Sequence, residues 1–414
     1  MPPDARAPHA DTMTEDAAAA GSAARDIVVA GGGIGGLAAA VALARRGFSC
    51  HVVEQRDSPA GEGAGIQIGP NGVRVLQSIG AADALRPSVG VPDSIRVLDG
   101  ATARLLAELP LGSAIAGRHG APYWVAHRGD LHAALLATAR AEPLVRITTG
   151  VGLDSAAAAG DGVVIATACG RTITGRALVA ADGIWSRVRT RHFDPSPPAF
   201  AGKSAMRTVI PRSRAPRALS ANCTFAWLAP GAHVVHYPVR GGEDIAVVVI
   251  VAETEASRDW SRDVATSWVL DRTRNFDPVL RELLAAGAGW RKWSLHELAV
   301  PEHIAQGPIA LLGDAAHPPL PFLAQGGVMA LEDAVVMARE AAATPADLAA
   351  AFTRYERARL PRVARVLAAS RRNGRIYHLS GAMAFARNAT MAALGGPRIL
   401  AGYDWLYGWR LDPG

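Results

Sequence analysis

Residues 26–36 read Asp-Ile-Val-Val-Ala-Gly-Gly-Gly-Ile-Gly-Gly. The apolar run Ile27–Ala30 ahead of the glycines is typical of a short buried strand. The Ala-rich segment Leu37–Arg46 favours a helix, and a second predicted strand, Cys50–Val53, closes with Glu54. The succession of strand, glycine loop, helix and strand predicts a βαβ unit, which indicates an α/β fold.

The glycine spacing Gly31-x-Gly33-x-x-Gly36 explains what this unit could bind. Gly31 permits a tight turn, Gly33 lets the backbone approach a pyrophosphate, and Gly36 lets the helix pack close to the strand. The helix N-terminus then directs partial positive charge at the phosphates. Glu54 follows the second strand, where a carboxylate accepts hydrogen bonds from an adenosine ribose. The unit therefore predicts a dinucleotide site, but it leaves NAD and FAD both open.

Later segments extend the sheet and interrupt it. Ala177–Ala181 leads into Asp182, and Ile309–Leu312 leads into a Gly-Asp pair, so both are predicted as buried strands. Long Ala- and Arg-rich helices are predicted from about Val328 to His378. Between about Phe193 and Val300, Pro and Trp become frequent and apolar residues form strand-like runs. This change of character predicts a second, sheet-based domain inserted into the first.

The stretch before that insertion is less regular. Strand-like pieces are expected between about Val91 and Pro110, and a helix is expected at Gly129–Ala141. Three further runs, Leu144–Thr148, Gly162–Ala168 and Arg171–Arg176, are predicted to form a meander.

Composition narrows the class of protein. Half of the 414 residues are apolar, which suits a chain with a large core. The net charge is +6, but the Arg residues are scattered among acids, so neither nucleic acid nor a membrane surface is an expected partner. Cys50, Cys169 and Cys223 form no C-x-x-C pair, so no metal site or redox disulfide is expected. We expect a cytoplasmic protein with a disordered tail at residues 1–25, where translation could also begin at Met13.

Two further motifs resolve the choice of dinucleotide. Gly313-Asp314-Ala-Ala-His-Pro is followed by Gln325-Gly326-Gly327 and then by Glu332-Asp333-Ala. A third motif reads Asp182-Gly-Ile-Trp-Ser-Arg-Val-Arg. With the N-terminal glycines, this order resembles the class A flavoprotein aromatic hydroxylases, the family of para-hydroxybenzoate and salicylate hydroxylases, over residues 26 to 375. The resemblance implies non-covalent FAD, with NADH or NADPH and O₂ as co-substrates.

The resemblance also implies roles for single residues. Asp314 would bind the ribityl chain of FAD, and the backbone N–H groups of Gly326 and Gly327 would lie near the flavin pyrimidine ring. Arg128 would contact the FAD pyrophosphate or nearby backbone, although it could instead cap a helix or pair with an acid. Asp182 would lie near the pyrophosphate, although it could simply form a turn. Ala324 stands where many relatives have Gly.

The expected architecture is therefore a Rossmann-type FAD-binding domain in three segments, an inserted β-sheet substrate domain and C-terminal helices. The predicted boundaries are 26–90, 111–192 and 301–345 for the FAD domain, 91–110 and 193–300 for the substrate domain, and 346–414 for the helical region. The aromatic segment Tyr403–Trp409 is expected to pack against the core or a partner subunit in a monomer or homodimer.

The substrate pocket is predicted mainly from one strand, His-Val-Val-His-Tyr-Pro-Val at residues 233–239. Strand alternation puts His233 and Tyr237 on one face and His236 on the other. The 3-hydroxybenzoate 6-hydroxylases carry a His and a Tyr with this spacing, which contact the substrate's phenol and carboxylate, so His233 and Tyr237 are the candidate catalytic residues. Either could instead be a core or loop residue.

Other pocket residues bear on the substrate. Gln67 stands where 6-hydroxynicotinate-hydroxylating relatives have a catalytic His, which counts against that substrate. Pro321-Phe322 is typical of salicylate-type enzymes and favours an ortho-hydroxy acid. Met206, Trp227 and Phe322 are candidate apolar walls.

The predicted reaction is hydroxylation of a small phenolic acid, salicylate-like or 3-hydroxybenzoate-like, through a flavin hydroperoxide. Two alternatives stay open: a flavin monooxygenase acting on a larger natural-product aromatic, and a non-catalytic FAD-binding protein. The single glycine fingerprint disfavours flavin disulfide reductases, which carry a second dinucleotide domain. A membrane-associated hydroxylase would need an anchor that the sequence does not offer.

Overall fold

The computed structural model describes residues 27–57, 65–160, 162–257 and 261–412. The predicted tail, the alternative start at Met13 and the first part of the 61–65 glycine loop lie outside these residues. The strands are β1 Ile27–Ala30, β2 Cys50–Val53, β3 Gly65–Ile68, β4 Ser94–Asp99, β5 Leu105–Pro110, β6 Trp124–His127, β7 Val145–Thr148, β8 Leu153–Ala159, β9 Gly162–Thr167, β10 Thr172–Gly175, β11 Ala177–Ala180, β12 Ala199–Pro211, β13 Cys223–Ala229, β14 Ala232–Val239, β15 Asp244–Ala252, β16 Ser261–Asp263, β17 Arg291–Glu297, β18 Ala305–Gln306 and β19 Ile309–Leu311.

The α-helices are α1 Ile34–Ala44, α2 Pro70–Ser78, α3 Ala82–Leu85, α4 Gly112–His119, α5 Arg128–Ala141, α6 Arg187–His192, α7 Thr266–Arg272, α8 Pro278–Ala285, α9 Gly326–Ala343, α10 Leu348–Tyr377, α11 Gly381–Ala401 and α12 Asp404–Tyr407. Helices and strands alternate over much of the chain, and the predicted α/β class is confirmed.

A six-stranded sheet in the order β18-β19-β11-β1-β2-β7 forms the first layer. The strands from β19 to β7 are parallel, and the edge strand β18 runs antiparallel to β19. β1, β2 and β11 are completely buried, because their apolar side chains are covered on both faces of the sheet. The predicted βαβ unit is confirmed, with β1 and β2 paired in register from Ile27 with Cys50.

The meander prediction was wrong in one strand. Val145–Thr148 joins the parallel sheet beside β2, and the meander consists instead of β8, β9 and β10. β8, with the sequence Leu-Asp-Ser-Ala-Ala-Ala-Ala, was missed because it lacks the β-branched and aromatic residues that mark strands.

An eight-stranded sheet in the order β16-β17-β12-β15-β14-β13-β4-β5 forms the second layer. Its neighbours are antiparallel except for β13 and β4, which are parallel. β4 and β5 come from the middle of the segments that form the first sheet, so the chain passes between the two sheets several times. The outer face of this second sheet is covered by α7 and α8, whose Val269, Leu280 and Leu283 join one apolar cluster with it.

The C-terminal helices close the other side. α10 packs on α9 and carries Phe352 and Tyr355 into the core of the first sheet. The aromatic segment Tyr403–Trp409, which includes α12, also packs on the core, as predicted. The Trp409 ring centroid lies 5.7 Å from the Arg359 guanidinium and 5.3 Å from that of Arg362. Within the described residues, no helix is long and apolar enough to cross a membrane.

Candidate active site

The motif loops converge because they follow neighbouring strands of the parallel sheet. The glycine loop follows β1, Asp182 follows β11, and Gly313-Asp314 follows β19. These three strands are adjacent in the order β19-β11-β1. Carboxyl ends of parallel strands lie at one edge, and ligands bind there where the strand order reverses. Here it reverses at β1, which lies between β2 and β11.

The glycine loop is built for close backbone approach. Gly31 has φ of +108°, and a Cβ there would lie 2.4 Å from the Ala181 carbonyl oxygen. A Cβ on Gly36 would lie 1.9 Å from the Gly31 carbonyl oxygen. A Cβ on Gly33, in contrast, would meet no protein atom within 4 Å. Gly31 and Gly36 are therefore required by the fold, whereas Gly33 faces open space at the N-terminus of α1.

Glu54 lies directly behind this loop. Its Oε2 accepts a hydrogen bond from the Gly32 backbone N–H at 2.7 Å, and its Oε1 accepts one from the Arg56 N–H at 3.0 Å. The two contacts hold the carboxylate in one orientation. Each oxygen keeps acceptor capacity for a further donor such as a ribose hydroxyl.

Asp182 has two different carboxylate oxygens. Oδ2 accepts from the Arg187 backbone N–H at 3.0 Å at the start of α6, so the residue does shape the turn. Oδ1 is buried, and no described residue gives it a hydrogen bond. Burial is the main cause that raises the pKa of this carboxyl group. A buried, unpartnered oxygen beside the glycine loop favours a ligand that donates a hydrogen bond or carries a positive charge.

Asp314 lies in the 3₁₀ turn Gly313–Ala315 after β19 and is exposed to the cleft, although it sits deep in the protein. Burial is the largest cause that raises its pKa, and the charges of Arg128 and His317 partly oppose the rise. Arg128, the first residue of α5, is thus close enough to act on Asp314 electrostatically.

The N-terminus of α9 completes this side of the cleft. Gly326 and Gly327 form the first turn of an 18-residue helix, where backbone N–H groups have no intrahelical acceptor. The preceding Ala324 has φ of +53° and ψ of +38°, a left-handed conformation that glycine adopts more easily. The free N–H groups and the helix dipole provide a site for negative charge.

A buried ionic network holds α9 in place. Asp333 accepts from His317 Nε2 at 2.8 Å and from Arg359 Nε at 2.6 Å. Glu332 accepts from Arg359 Nη1 at 3.0 Å and from Arg362 Nε at 2.5 Å. The network therefore ties the Gly-Asp-Ala-Ala-His-Pro loop, α9 and α10 together, and His317 has a structural role rather than that of a base.

The pocket face of the second sheet lies opposite the cleft. His233, Val235 and Tyr237 alternate on β14, and the register through β15 brings Ala205, Arg207 and Val209 of β12 to the same face. His236 points the other way, stacks on Phe225 and accepts from Trp227 Nε1 at 3.0 Å. The alternation predicted from the sequence places these residues correctly.

Tyr237 is buried beneath β3. A Cβ on Gly65 would lie 2.7 Å from the Tyr237 hydroxyl oxygen, and Gln67 of the same strand accepts from the Tyr123 hydroxyl at 2.7 Å. Burial raises the pKa of Tyr237, and the nearby charge of Arg207 and a hydrogen bond with Gln67 offset only part of the rise. The surroundings of Tyr237 therefore disfavour the ionised form of its hydroxyl.

Arg207 is a residue that sequence reasoning missed. Its guanidinium lies 5.3 Å from the Trp293 ring, and no described residue accepts a hydrogen bond from its Nε, which is buried. Burial is the main cause that lowers its pKa, Arg128 lowers it further, and Tyr237 raises it. An arginine with no carboxylate partner among the described residues favours an anionic ligand in this setting. Its position between Met206 and a Thr gave no sequence signal beyond the charge itself.

His233 is 2% exposed and contacts Phe322, with ring centroids 5.5 Å apart. Phe322 and Pro321 lie in the 3₁₀ turn Pro321–Leu323, which brings this predicted wall residue against His233. The Nδ1 atom of His233 lies 2.8 Å from Nε2 of His378, a residue at the end of α10 that the sequence did not single out. Burial lowers the pKa of His233, so the ring is neutral.

Two predicted pocket walls lie elsewhere. Met206 and Trp227 are at most 1% exposed and belong to the apolar cluster under α7 and α8, on the outer face of the second sheet. Met206 and Trp227 are connected through the cross-strand partners Val249 and Val234. Their side chains therefore lie on the face of the sheet opposite to that of His233 and Tyr237. Both side chains therefore lie outside the pocket, and the prediction that they line it was wrong.

These features fit FAD. The opening over Gly33 accepts a pyrophosphate against the α1 N-terminus, Glu54 and the cleft-facing Asp314 can accept hydrogen bonds from sugar hydroxyls, and the N–H groups of Gly326 and Gly327 suit the electron-rich edge of a flavin. Among the described residues there is no cluster that could hold a metal ion.

Comparisons with known proteins agree with this geometry. A family model described as an FAD binding domain matches residues 24–370. The chain is 34% identical over 385 residues to a 3-hydroxybenzoate 6-hydroxylase of Klebsiella oxytoca, covering 93% of this chain and 97% of that protein. It is 33% identical over 384 residues to a 3-amino-4-hydroxybenzoate 2-monooxygenase of Streptomyces cremeus, covering 92% and 94%.

Among solved structures, HpxO of Klebsiella pneumoniae in complex with FAD and uric acid superimposes with a TM-score of 0.81 at 25% identity, covering 92% of this chain and 96% of that one. The chain belongs to the FAD-binding family of class A flavoprotein hydroxylases. The expectation of an FAD-dependent monooxygenase that uses NAD(P)H and O₂ is thereby confirmed.

Proposed function

We propose that the protein hydroxylates a small phenolic acid whose hydroxyl and carboxylate are on non-adjacent ring carbons, as in 3-hydroxybenzoate. The observation that carries this proposal is the shared face of β14 and β12, where His233, Tyr237 and Arg207 meet the cleft. Residues four apart on a strand are separated by roughly 13 Å. A benzoate ring with polar groups on two of its carbons can make hydrogen bonds of about 2.8 Å to side chains that extend toward each other from two such positions.

The three side chains have complementary roles in this proposal. Arg207 pairs with the carboxylate, and the neutral Tyr237 hydroxyl donates to it. Neutral His233 accepts the phenolic proton, which increases the electron density of the ring carbons ortho and para to that oxygen. Phe322 covers the ring and excludes water. When bound, FAD takes electrons from NADH or NADPH and supplies an oxygen atom from O₂.

The order of the segments along the chain supports two domains, one for FAD and one for the substrate. We propose that the FAD domain comprises residues 26–90, 111–192 and 301–345, and that residues 91–110 and 193–300 form the substrate domain. Gln67 and Pro321 then line the pocket from the FAD side. We propose a cytoplasmic monomer or homodimer.

Salicylate is the second candidate, since Pro321-Phe322 is typical of salicylate-type enzymes. Oxidation of NADH and NADPH is measured with salicylate, 3-hydroxybenzoate, 4-hydroxybenzoate and no aromatic, and products are identified by mass. We expect the strongest stimulation by 3-hydroxybenzoate, with a product one oxygen heavier. Oxygen gained with loss of CO₂ from salicylate would replace our substrate assignment, and bound FAD with no stimulation would favour a larger aromatic substrate.

Arg207→Gln tests the carboxylate contact. Charged hydrogen bonds contribute about 1.5–3 kcal/mol, so we expect KM for 3-hydroxybenzoate to rise about 10–100-fold. KM for the neutral analogue 3-hydroxybenzyl alcohol should stay within about twofold, because that ligand lacks the anion. The matched control is Arg291→Gln, since Arg291 also lies on Trp293 but donates to Ser261. Equal losses for the acid and the alcohol would reject the role of Arg207.

A further inference from the structure

Asn71 is a completely buried amide that joins the start of α2 to the start of α9. Its Nδ2 donates to Gln325 Oε1 at 3.0 Å and to Glu332 Oε1 at 2.8 Å. Both N–H bonds of the amide are therefore used, and they tie together segments that are 254 and 261 positions apart in the chain. No step of the proposed reaction uses this contact.

The ion pairs next to Asn71 fix the orientation of its amide. Glu332 accepts from Arg359 Nη1 at 3.0 Å and from Arg362 Nη2 at 2.6 Å, so its oxygens are acceptors. Asn71 must therefore turn Nδ2 toward Glu332, since a flipped amide would bring two oxygens into contact. Its Oδ1, on the other side, is buried and has no hydrogen-bond partner among the described residues.

The orientation of Asn71 in turn fixes that of Gln325. Because Oε1 of Gln325 accepts from Asn71, its Nε2 lies on the opposite side of the amide, away from α2. Gln325 is 2% exposed, and among the described residues none accepts a hydrogen bond from this Nε2. A donor held in a buried setting without a protein acceptor favours a ligand that supplies one.

The space beside Gln325 is open to such a ligand. Gln325 directly precedes Gly326, the first residue of α9, whose first-turn N–H groups have no intrahelical acceptor. A Cβ on Gly326 would meet only Pro319, at 3.7 Å. The side-chain donor of Gln325 and the backbone donors of the first turn are therefore adjacent at the end of α9 that completes the cleft.

We propose that Asn71 is a positioning residue for bound FAD, which acts by holding Gln325 Nε2 toward the cleft as an additional hydrogen-bond donor. FAD gains negative charge when it is reduced, and a donor that is aligned before the charge develops favours the reduced state. Asn71 thereby raises the reduction potential of FAD and favours electron transfer from NADH or NADPH. This role requires only FAD and is independent of which aromatic compound is the substrate.

The reduction potential of bound FAD, measured by equilibration with a redox dye, tests this role. In Asn71→Leu, which has a similar volume but no N–H group, the ratio of the Kd for oxidised FAD to the Kd for reduced FAD should fall about 10-fold. That change lowers the two-electron potential by about 30 mV. Gln325→Leu should lower it equally, and combining the two substitutions should lower it no further. An unchanged potential in Asn71→Leu, or additive shifts in the double variant, would overturn the proposal.

Two other variants separate this role from a loss of stability. Asn388→Leu is the matched control, because Asn388 is also a buried amide that donates to a carboxylate, that of Asp99 at 3.0 Å, but it lies on α11 against the edge strand β5. The potential should stay unchanged there. Gln325→Glu keeps the acceptor for Asn71 but replaces the Nε2 donor with an oxygen, so at pH 8 the potential should fall at least as far as in Asn71→Leu. An unchanged potential in Gln325→Glu would reject the proposal even if Asn71→Leu does not fold.

Discussion

Gly33→Ala is expected to leave the protein folded and to weaken FAD binding by about 100-fold, which is ~2.8 kcal/mol. An added Cβ meets no protein atom within 4 Å, and the backbone at this position (φ −78°, ψ −175°) is one that alanine adopts freely. The methyl group would instead occupy the space in which the pyrophosphate approaches the helix N-terminus. Dissociation constants from flavin fluorescence and the melting temperature of the apoprotein measure the two effects separately.

Two glycines provide the controls. Gly117→Ala, in α4, also adds a methyl group in open space and should leave FAD affinity unchanged while stabilising the helix by up to about 1 kcal/mol. Gly36→Ala should cost at least about 3 kcal/mol of stability, because its Cβ would lie 1.9 Å from the Gly31 carbonyl oxygen. If Gly33→Ala binds FAD as tightly as the unaltered protein, the pyrophosphate does not lie over this glycine.

Arg359→Met is expected to destabilise the protein by about 3–5 kcal/mol. Arg359 is 1% exposed and pairs with both Asp333, at 2.6 Å, and Glu332, at 3.0 Å. Methionine fills a similar volume but leaves two buried carboxylates short of a cation. Urea unfolding of the FAD-loaded protein gives the loss.

Arg371→Met is the control on the same helix. Arg371 pairs with Glu297 at 2.7 Å, but both side chains are about one third exposed, so the loss should stay below about 1 kcal/mol. Similar losses of unfolding free energy in both variants would show that the buried network stabilises the protein no more than a partly exposed ion pair.

Low pH should weaken the ion pairs of Asp333 in the same network, because its carboxylate becomes protonated. Burial alone would raise the pKa of Asp333, but His317 and Arg359 outweigh it and bring the pKa down to about 2. A depressed carboxyl pKa contributes stability that is complete above the ordinary value of 3.8 and is lost as the pH falls toward 2. We expect the unaltered protein to lose more of its free energy of unfolding than Arg359→Met when urea unfolding is compared at pH 5 and pH 2, because Arg359 no longer lowers the Asp333 pKa in the variant.

The sequence predicted the central strands of the first sheet well because they are short and largely apolar. Ile27–Ala30 and Cys50–Val53 were placed to the residue, since strands buried on both faces leave little ambiguity in such runs. β8 was not predicted because its four alanines do not favour a strand. The glycine fingerprint and the order of the later motifs were enough to predict FAD.

The pocket was less predictable because it depends on which strands become neighbours. Alternation along β14 separated His233 and Tyr237 from His236. Which residues of β12 share the face of His233 is decided only by the pairing of both strands with β15. For this reason Met206 was assigned to the wrong face and its neighbour Arg207 was overlooked. His378 could not be found because only tertiary packing brings the end of α10 to His233.

The interleaved sheets have a consequence for synthesis of the protein on the ribosome. The backbone of β1 is hydrogen-bonded on both sides only when β11 pairs with it. β11 in turn is paired on both sides only when β19, which ends at Leu311, has joined the sheet. β4 likewise waits for its parallel partner β13, more than a hundred residues later in the chain. A nascent chain shorter than this exposes apolar strand edges and cannot assemble the cleft. We therefore expect FAD to be captured only after β19 and the start of α9 have been synthesised.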